Sequence, residues 1–246
     1  MTPRLRPDGF LERGNQVTRM EAFVDAAFAF ALTMLVISVG AIPDSIPKLL
    51  EALKGTPAFA ASFALVASFW YEHMTWSRRY GLDDARSITL SLVLVFLVMV
   101  YIYPLKAIFA TFFGWITQGW LPYGFAIRSV QDLRVMFVIY GILVGTIGTV
   151  IALLYLQAWR QRVRLGLSLD EQAATIAQVA RALLQPAVAT ISILVALALP
   201  EKQAPWMYGL PGMMYALLSF AGPIPAAVAR RARARLLTAT AAWPAP

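Results

Sequence analysis

Cysteine is missing from all 246 residues, which excludes disulfides and thiolate chemistry. Histidine is nearly missing: His73 stands alone, so no multi-histidine metal site can form within one subunit. Charge is scarce as well. Only 14% of the chain is Asp, Glu, Lys or Arg, against about a quarter in an ordinary soluble domain. No P-loop, HExxH or GxSxG pattern occurs, and nothing in the sequence positions a serine beside His73. The chain therefore reads as a non-enzyme without a cofactor or a metal site. A cleaved signal peptide is not expected either, because Pro3, Asp8, Gly9 and Glu12 make the N-terminal segment too polar.

What fills the chain instead is apolar. Hydrophobic residues make up 59% and the mean hydropathy is +0.66. Six runs approach the length of about 20 residues that a bilayer requires: 20–40, 57–77, 87–105, 135–156, 177–199 and 206–227. The fold class read from this is all-α, an integral membrane bundle of six transmembrane helices. Fifteen of the 21 lysines and arginines fall on one side of such a topology, in the N-terminal segment, the second and fourth connections and the C-terminal segment. That asymmetry places both termini in the cytoplasm. It also accounts for the net charge of +8 without a nucleic-acid partner. The expected organisation is one membrane domain, with residues 1–19 as a cytoplasmic segment, 20–227 as the spans and 228–246 as a cytoplasmic tail.

Several local features carry expectations. Pro104 should end the third helix and Pro186 should kink the fifth. The segment 106–131 holds Phe109, Phe112, Phe113, Trp115, Trp120 and Tyr123. Rings at this density suit the headgroup level and predict a short interfacial helix, with an aromatic ligand cage as the less favoured reading. Gly141, Gly145 and Gly148 form a small-residue face for helix contact. Gly209, Gly212 and Gly222 with Pro211, Pro223 and Pro225 predict an irregular sixth span. Residues after Arg235 should be loosely ordered.

The first span is the most informative. At about 3.6 residues per turn, Phe23, Ala26, Phe30, Thr33 with Met34, and Ile37 share one face. Asp25 lies about 140° from Phe30 on that wheel, so the acid points elsewhere. By depth, its neighbours are Trp70, His73 and Ser77 at the inner end of the second span. A carboxylate hydrogen bond to an imidazole or an indole would offset burial of both groups. Such a pair is either a polar clasp that fixes helix packing or a proton relay. The clasp is favoured, because no second acid is evident in the membrane core. Glu21 repels Asp25 unless Arg19 or an arginine of the second connection intervenes. Gln178, Arg181 and Gln185 share a face of the fifth span, as the wet end of a helix or as a vestibule lining.

The stretch Arg19-Met-Glu-Ala-Phe23-Val24-Asp25, opening an apolar helix, resembles the signature of the TMEM175-like family: an arginine, three residues, then Phe-Ser-Asp. The second span adds Ser62-Phe63 and Phe69-Trp70-Tyr71-Glu72-His73, like the family's Trp-x-x-His. The third adds Asp84 before an apolar run closed by Pro104. The resemblance covers about residues 19–105. It implies a potassium-permeable cation channel in the cell membrane. It also implies a homotetramer in the lipid bilayer, with the first helices lining the pore and potassium as the permeant ion. By position, Phe30, Met34 and Ile37 become the constriction and Thr33 the polar pore residue. Arg19, Phe23, Asp25, Trp70 and His73 become a network behind the pore. Two residues depart from the pattern: Val24 replaces the motif serine, and Phe30 replaces an aliphatic constriction residue. A Thr-Val-Gly-Tyr-Gly filter is absent, so selectivity would rest on the hydrophobic constriction and Thr33. The competing reading is a proton-coupled secondary transporter using Asp25 and His73. Transporters tend to show repeated halves and broken helices, and this sequence shows neither clearly.

Overall fold

The computed structural model describes residues 5–14, 16–37, 43–202, 204–220 and 222–241. It is nearly all helix. The long elements are α1 (Arg19–Ile37), the short α2 (Ile46–Lys54), α3 (Thr56–Tyr80), α4 (Ala85–Ile116), α5 (Val130–Arg160) and α6 (Leu169–Leu197). A broken segment follows: a 3-10 turn at Pro205–Gly209, α7 (Leu210–Met213), a second 3-10 turn at Met214–Ala216, and α8 (Leu217–Phe220). The last element is α9 (Pro223–Ala241). Among the described residues, α1, α4, α5 and α6 are each long and apolar enough to cross a membrane. There are six spans if two bent pairs, α2 with α3 (43° apart) and the broken segment with α9, count as one each.

Helix ends follow local chemistry. Ser129 and Asp132 form a capping box at the start of α5, and Ser168 and Glu171 form one at the start of α6, each satisfying two amides that lack helical partners. Gly81 ends α3 with φ 56°, the left-handed conformation that glycine adopts most cheaply. A β-carbon there would also lie 2.8 Å from the Arg13 carbonyl oxygen.

The most extensive contact joins α5 to α6, and the expected glycine face lies in it. A β-carbon on Gly141 would come 2.4 Å from Ile193, and one on Gly148 would come 2.7 Å from Gln185. Within lipid, apolar burial adds little to helix association, so close backbone approach and polar ties decide the arrangement.

Three expectations are corrected. Pro104 does not end its helix, because α4 continues to Ile116. Proline removes one hydrogen bond and crowds the preceding turn. The buried stripe nevertheless runs unbroken through Val98, Ile102, Leu105, Ile108 and Thr111, and packing on α5 outweighs the local defect. Phe109, Phe112, Phe113 and Trp115 therefore belong to α4 and not to a separate interfacial helix, while Trp120 and Tyr123 lie in the loop after it. The sixth span is irregular, as its glycines and prolines predict: it is the broken segment plus α9. The chain after Arg235 is helical to Ala241; residues 242–246, like the 38–40 end of the first span, lie outside the described residues. Pro186 sits inside a continuous α6.

Candidate functional site

α3 is the polar hub of the bundle. Between them its side chains reach α1, α4, α5 and α6. Trp70 Nε1 donates to Asp25 Oδ1 of α1 at 2.8 Å. Glu72 pairs with Arg181 of α6 and accepts a 3.4 Å bond from the Tyr155 hydroxyl of α5. His73 Nε2 lies 2.9 Å from Ser91 Oγ of α4. Trp76 Nε1 donates to the Leu154 carbonyl of α5 at 2.9 Å. Polar groups in a membrane core persist when they are paired, and each bond here meets that condition.

The arrangement changes part of the sequence-level expectation. Asp25 bonds the indole, and His73 bonds Ser91, not Asp25. A relay through Asp25 and His73 is therefore not joined by a direct bond. A second acid does lie in the bundle, Glu72, and it accounts for Arg181. Glu72 was visible as a carboxylate inside a span, but its partner sits 109 residues away on a helix whose facing side no local pattern reveals.

A second polar layer closes one end of the bundle, built on the N-terminal segment. Phe10 is buried beneath the Arg79 guanidinium, 4.5 Å from its ring centroid, and edge-on to Tyr80. Arg13 binds Glu171 with two bonds, 2.7 Å and 3.0 Å, the fork geometry that guanidinium and carboxylate share. The Leu11 amide adds a third bond to the same carboxylate. The amides of Arg13 and Gly14 donate to the Arg78 carbonyl. Arg78 also reaches Glu21 at 3.4 Å, the arginine needed beside that buried acid. Burial opposes ionisation of Asp8, but the Phe10 amide and the guanidiniums of Arg79 and Arg6 outweigh it and hold the carboxyl below its ordinary range. Asp84 is held low in the same way, with burial outweighed by hydrogen bonds from Ser87, Gln161 and Gln157. At the same end, Arg233 of α9 lies 2.7 Å from Asp170. Apart from an arginine of the second connection beside Glu21, none of this strap was expected from the sequence, because its partners are scattered from residue 8 to residue 171.

α1 has two faces. Val24, Phe28, Ala31 and Leu35 are buried against α3 and α4. Val24, the departure from the family serine, is fully buried, where an apolar side chain fits without a partner. The opposite face is bare: Phe23 (54% exposed), Phe30 (50%) and Ile37 (61%), with Ala26 and Thr33 also exposed. Met34 lies on the flank, half-buried, its sulfur 3.8 Å from the Tyr103 hydroxyl. Thr33 bonds its own helix at the Ala29 carbonyl. Arg19 is exposed and makes no polar bond to another described residue. No cluster of three or more metal-ligating side chains occurs among the described residues.

Comparison with known proteins gives three findings. The family model described as endosomal/lysosomal potassium channel TMEM175 matches residues 19–104. A protein of Marivirga tractuosa described as a potassium channel is 34% identical over 198 residues, covering 78% of this chain and 79% of that protein. The crystal structure of a variant of the potassium channel MtTMEM175, in complex with a nanobody–MBP fusion protein, superposes with a TM-score of 0.77 at 32% identity. That likeness spans 92% of this chain and 97% of the solved one.

Proposed function

This chain belongs to the TMEM175 family of potassium channels, and from that membership we propose how it conducts. Four copies assemble around an axis in the cell membrane, with α1 of each facing the centre. Potassium passes along this path, and Phe30, Met34 and Ile37 narrow it. Thr33 supplies the hydroxyl near the narrowest point. Both termini lie in the cytoplasm, and the whole chain acts as one membrane domain.

The observation that carries this reading is the bare face of α1. A helix buried on one side, with Phe23, Phe30 and Ile37 uncovered on the other, has a face free to meet other copies. One α1 encloses nothing, so a pore requires several copies. An apolar ring of this kind gates by dewetting: water and hydrated ions leave the constriction until it widens. Asp25, tied to Trp70, holds α1 to α3 behind that surface. The cytoplasmic placement of both termini is supported by the polar layer, where the N-terminal strap, the α3–α4 turn and α9 come together with most of the arginines.

Liposomes loaded with potassium and carrying the purified protein test the proposal. Passive dissipation of the gradient is expected, and Phe30→Ala should speed it. Silence of both proteins, together with solute uptake driven by a proton gradient, would replace the channel with a transporter.

A further inference from the structure

At the end of the bundle opposite the strap, α4, α5 and the broken segment enclose a cavity of about 760 Å³. Its walls include Phe112 and Trp115 of α4, Phe137 and Tyr140 of α5, and Tyr208. The walls are built. Gly209 lets the broken segment approach Trp115, because a β-carbon there would lie 2.6 Å from the indole. The loop after α4 is pinned back onto it: the Phe125 amide donates to Thr111 Oγ1 at 3.1 Å, and Gly114 sits against the Tyr123 ring. The volume falls in the range of about 300–1,000 Å³ typical of sites for small organic ligands, and the mostly apolar lining with a few polar groups is typical too.

Two opposite charges border the cavity, Arg128 and Glu201. Both are exposed, and neither forms an ion pair with a described residue. Asp132 feels the Arg128 charge but forms no ion pair with it, its carboxylate being engaged by the amides of Arg128 and Ser129. Phe112 and Tyr123 line the cavity and are half-exposed, so its wall continues into the outer surface of the bundle. Given the membrane orientation proposed above, that surface meets the outer leaflet.

We propose that this cavity is a lipid site that holds an acyl chain of a zwitterionic phospholipid from the outer leaflet. Arg128 faces the phosphate and Glu201 faces the ammonium of the headgroup. The hydrocarbon lies along Phe112, Phe137 and Tyr140. The two opposite charges select against an anionic headgroup, which would leave Glu201 facing a negative charge.

Native mass spectrometry on protein reconstituted with equal phosphatidylethanolamine and phosphatidylglycerol, then extracted in mild detergent, tests this. The expected result is a phosphatidylethanolamine retained by each chain. Gly212→Leu should abolish retention by filling the cavity, where Gly212 forms part of the wall. Arg128→Gln with Glu201→Gln should remove the headgroup preference without touching the core, which keeps the test decisive if Gly212→Leu fails to fold. Potassium flux measured on the same samples separates the two readings: flux without retained lipid overturns the lipid site alone. Equal retention of both lipids by wild type, or retention unchanged in all these variants, also overturns it.

Discussion

At the scale of single residues, the structure rests on side chains that satisfy one another across helices. The bond from Trp70 to Asp25 is charge-assisted, and such bonds contribute about 1.5–3 kcal/mol when shielded from water. Asp25 is exposed in the single chain, so Trp70→Phe is expected to cost about 1 kcal/mol or less, at the low end for hydrogen bonds. The loss would appear as a lower melting temperature in detergent. A fall well beyond that range would mean that the indole fills space no phenyl ring can fill. Gly81→Ala should be worse. A non-glycine residue in the left-handed region costs about 1–2 kcal/mol, and the added carbon also meets the Arg13 carbonyl. Thermal unfolding of that variant should begin with release of the N-terminal segment, read as faster proteolysis before residue 15. The Asp25 position was legible in the sequence: a wheel separated it from the apolar stripe, and depth brought it near α3. The choice between Trp70 and His73 was not legible. Both lie on the same side of α3, and only the position of Ser91 on α4 draws the imidazole away.

Among the elements, α3 and the N-terminal strap organise the rest. The Arg13–Glu171 pair is the least exposed of the ion pairs among the described residues: side-chain exposure is 15% and 2%. Removing one partner from a buried pair leaves an unpaired charge and costs about 3–5 kcal/mol. Arg13→Ala should therefore destabilise far more than truncation of an exposed arginine such as Arg19. Parallel melting curves of the two variants check this; equal effects would show that the strap contributes nothing. The strap is also sensitive to acid. Asp8 and Asp84 titrate below their ordinary range when folded. Their contribution is thus fully present above the ordinary aspartate range and is lost as the pH falls through their lowered folded values. The part of the stability that these two aspartates supply should be flat near neutrality and decline in strong acid, with Asp84→Asn flattening part of that decline. A decline that begins near pH 7 would require a different group. The span positions were legible because hydropathy has a scale, the bilayer thickness, that single residues seldom override. The full length of α4 was not, because Pro104 signals a stop locally while a continuous stripe of buried residues runs past it. The strap was invisible for a different reason: residues 5–14 carry no helical period, and their meaning lies in Arg78, Arg79 and Glu171.

For the whole molecule, one face of α1 decides the account. Its buried residues complete a single chain, and its bare residues are the surface on which the proposed pore rests. The channel family was legible from the stretch of residues 19–25 and from Trp70 and His73, and the comparisons place the chain there. Assembly and the pore axis are not features of one chain, so they stand as the central claim to test. The absence of cysteine provides a clean background for that test. Potassium current is measured across a planar bilayer before and after a water-soluble thiol reagent, with Phe30→Cys as the sole reactive position. A current that falls on modification, at a site reached only from water, is the predicted result. Modification that leaves the current unchanged, or a thiol reached only by lipid-soluble reagents, would contradict a pore lined by the first helix.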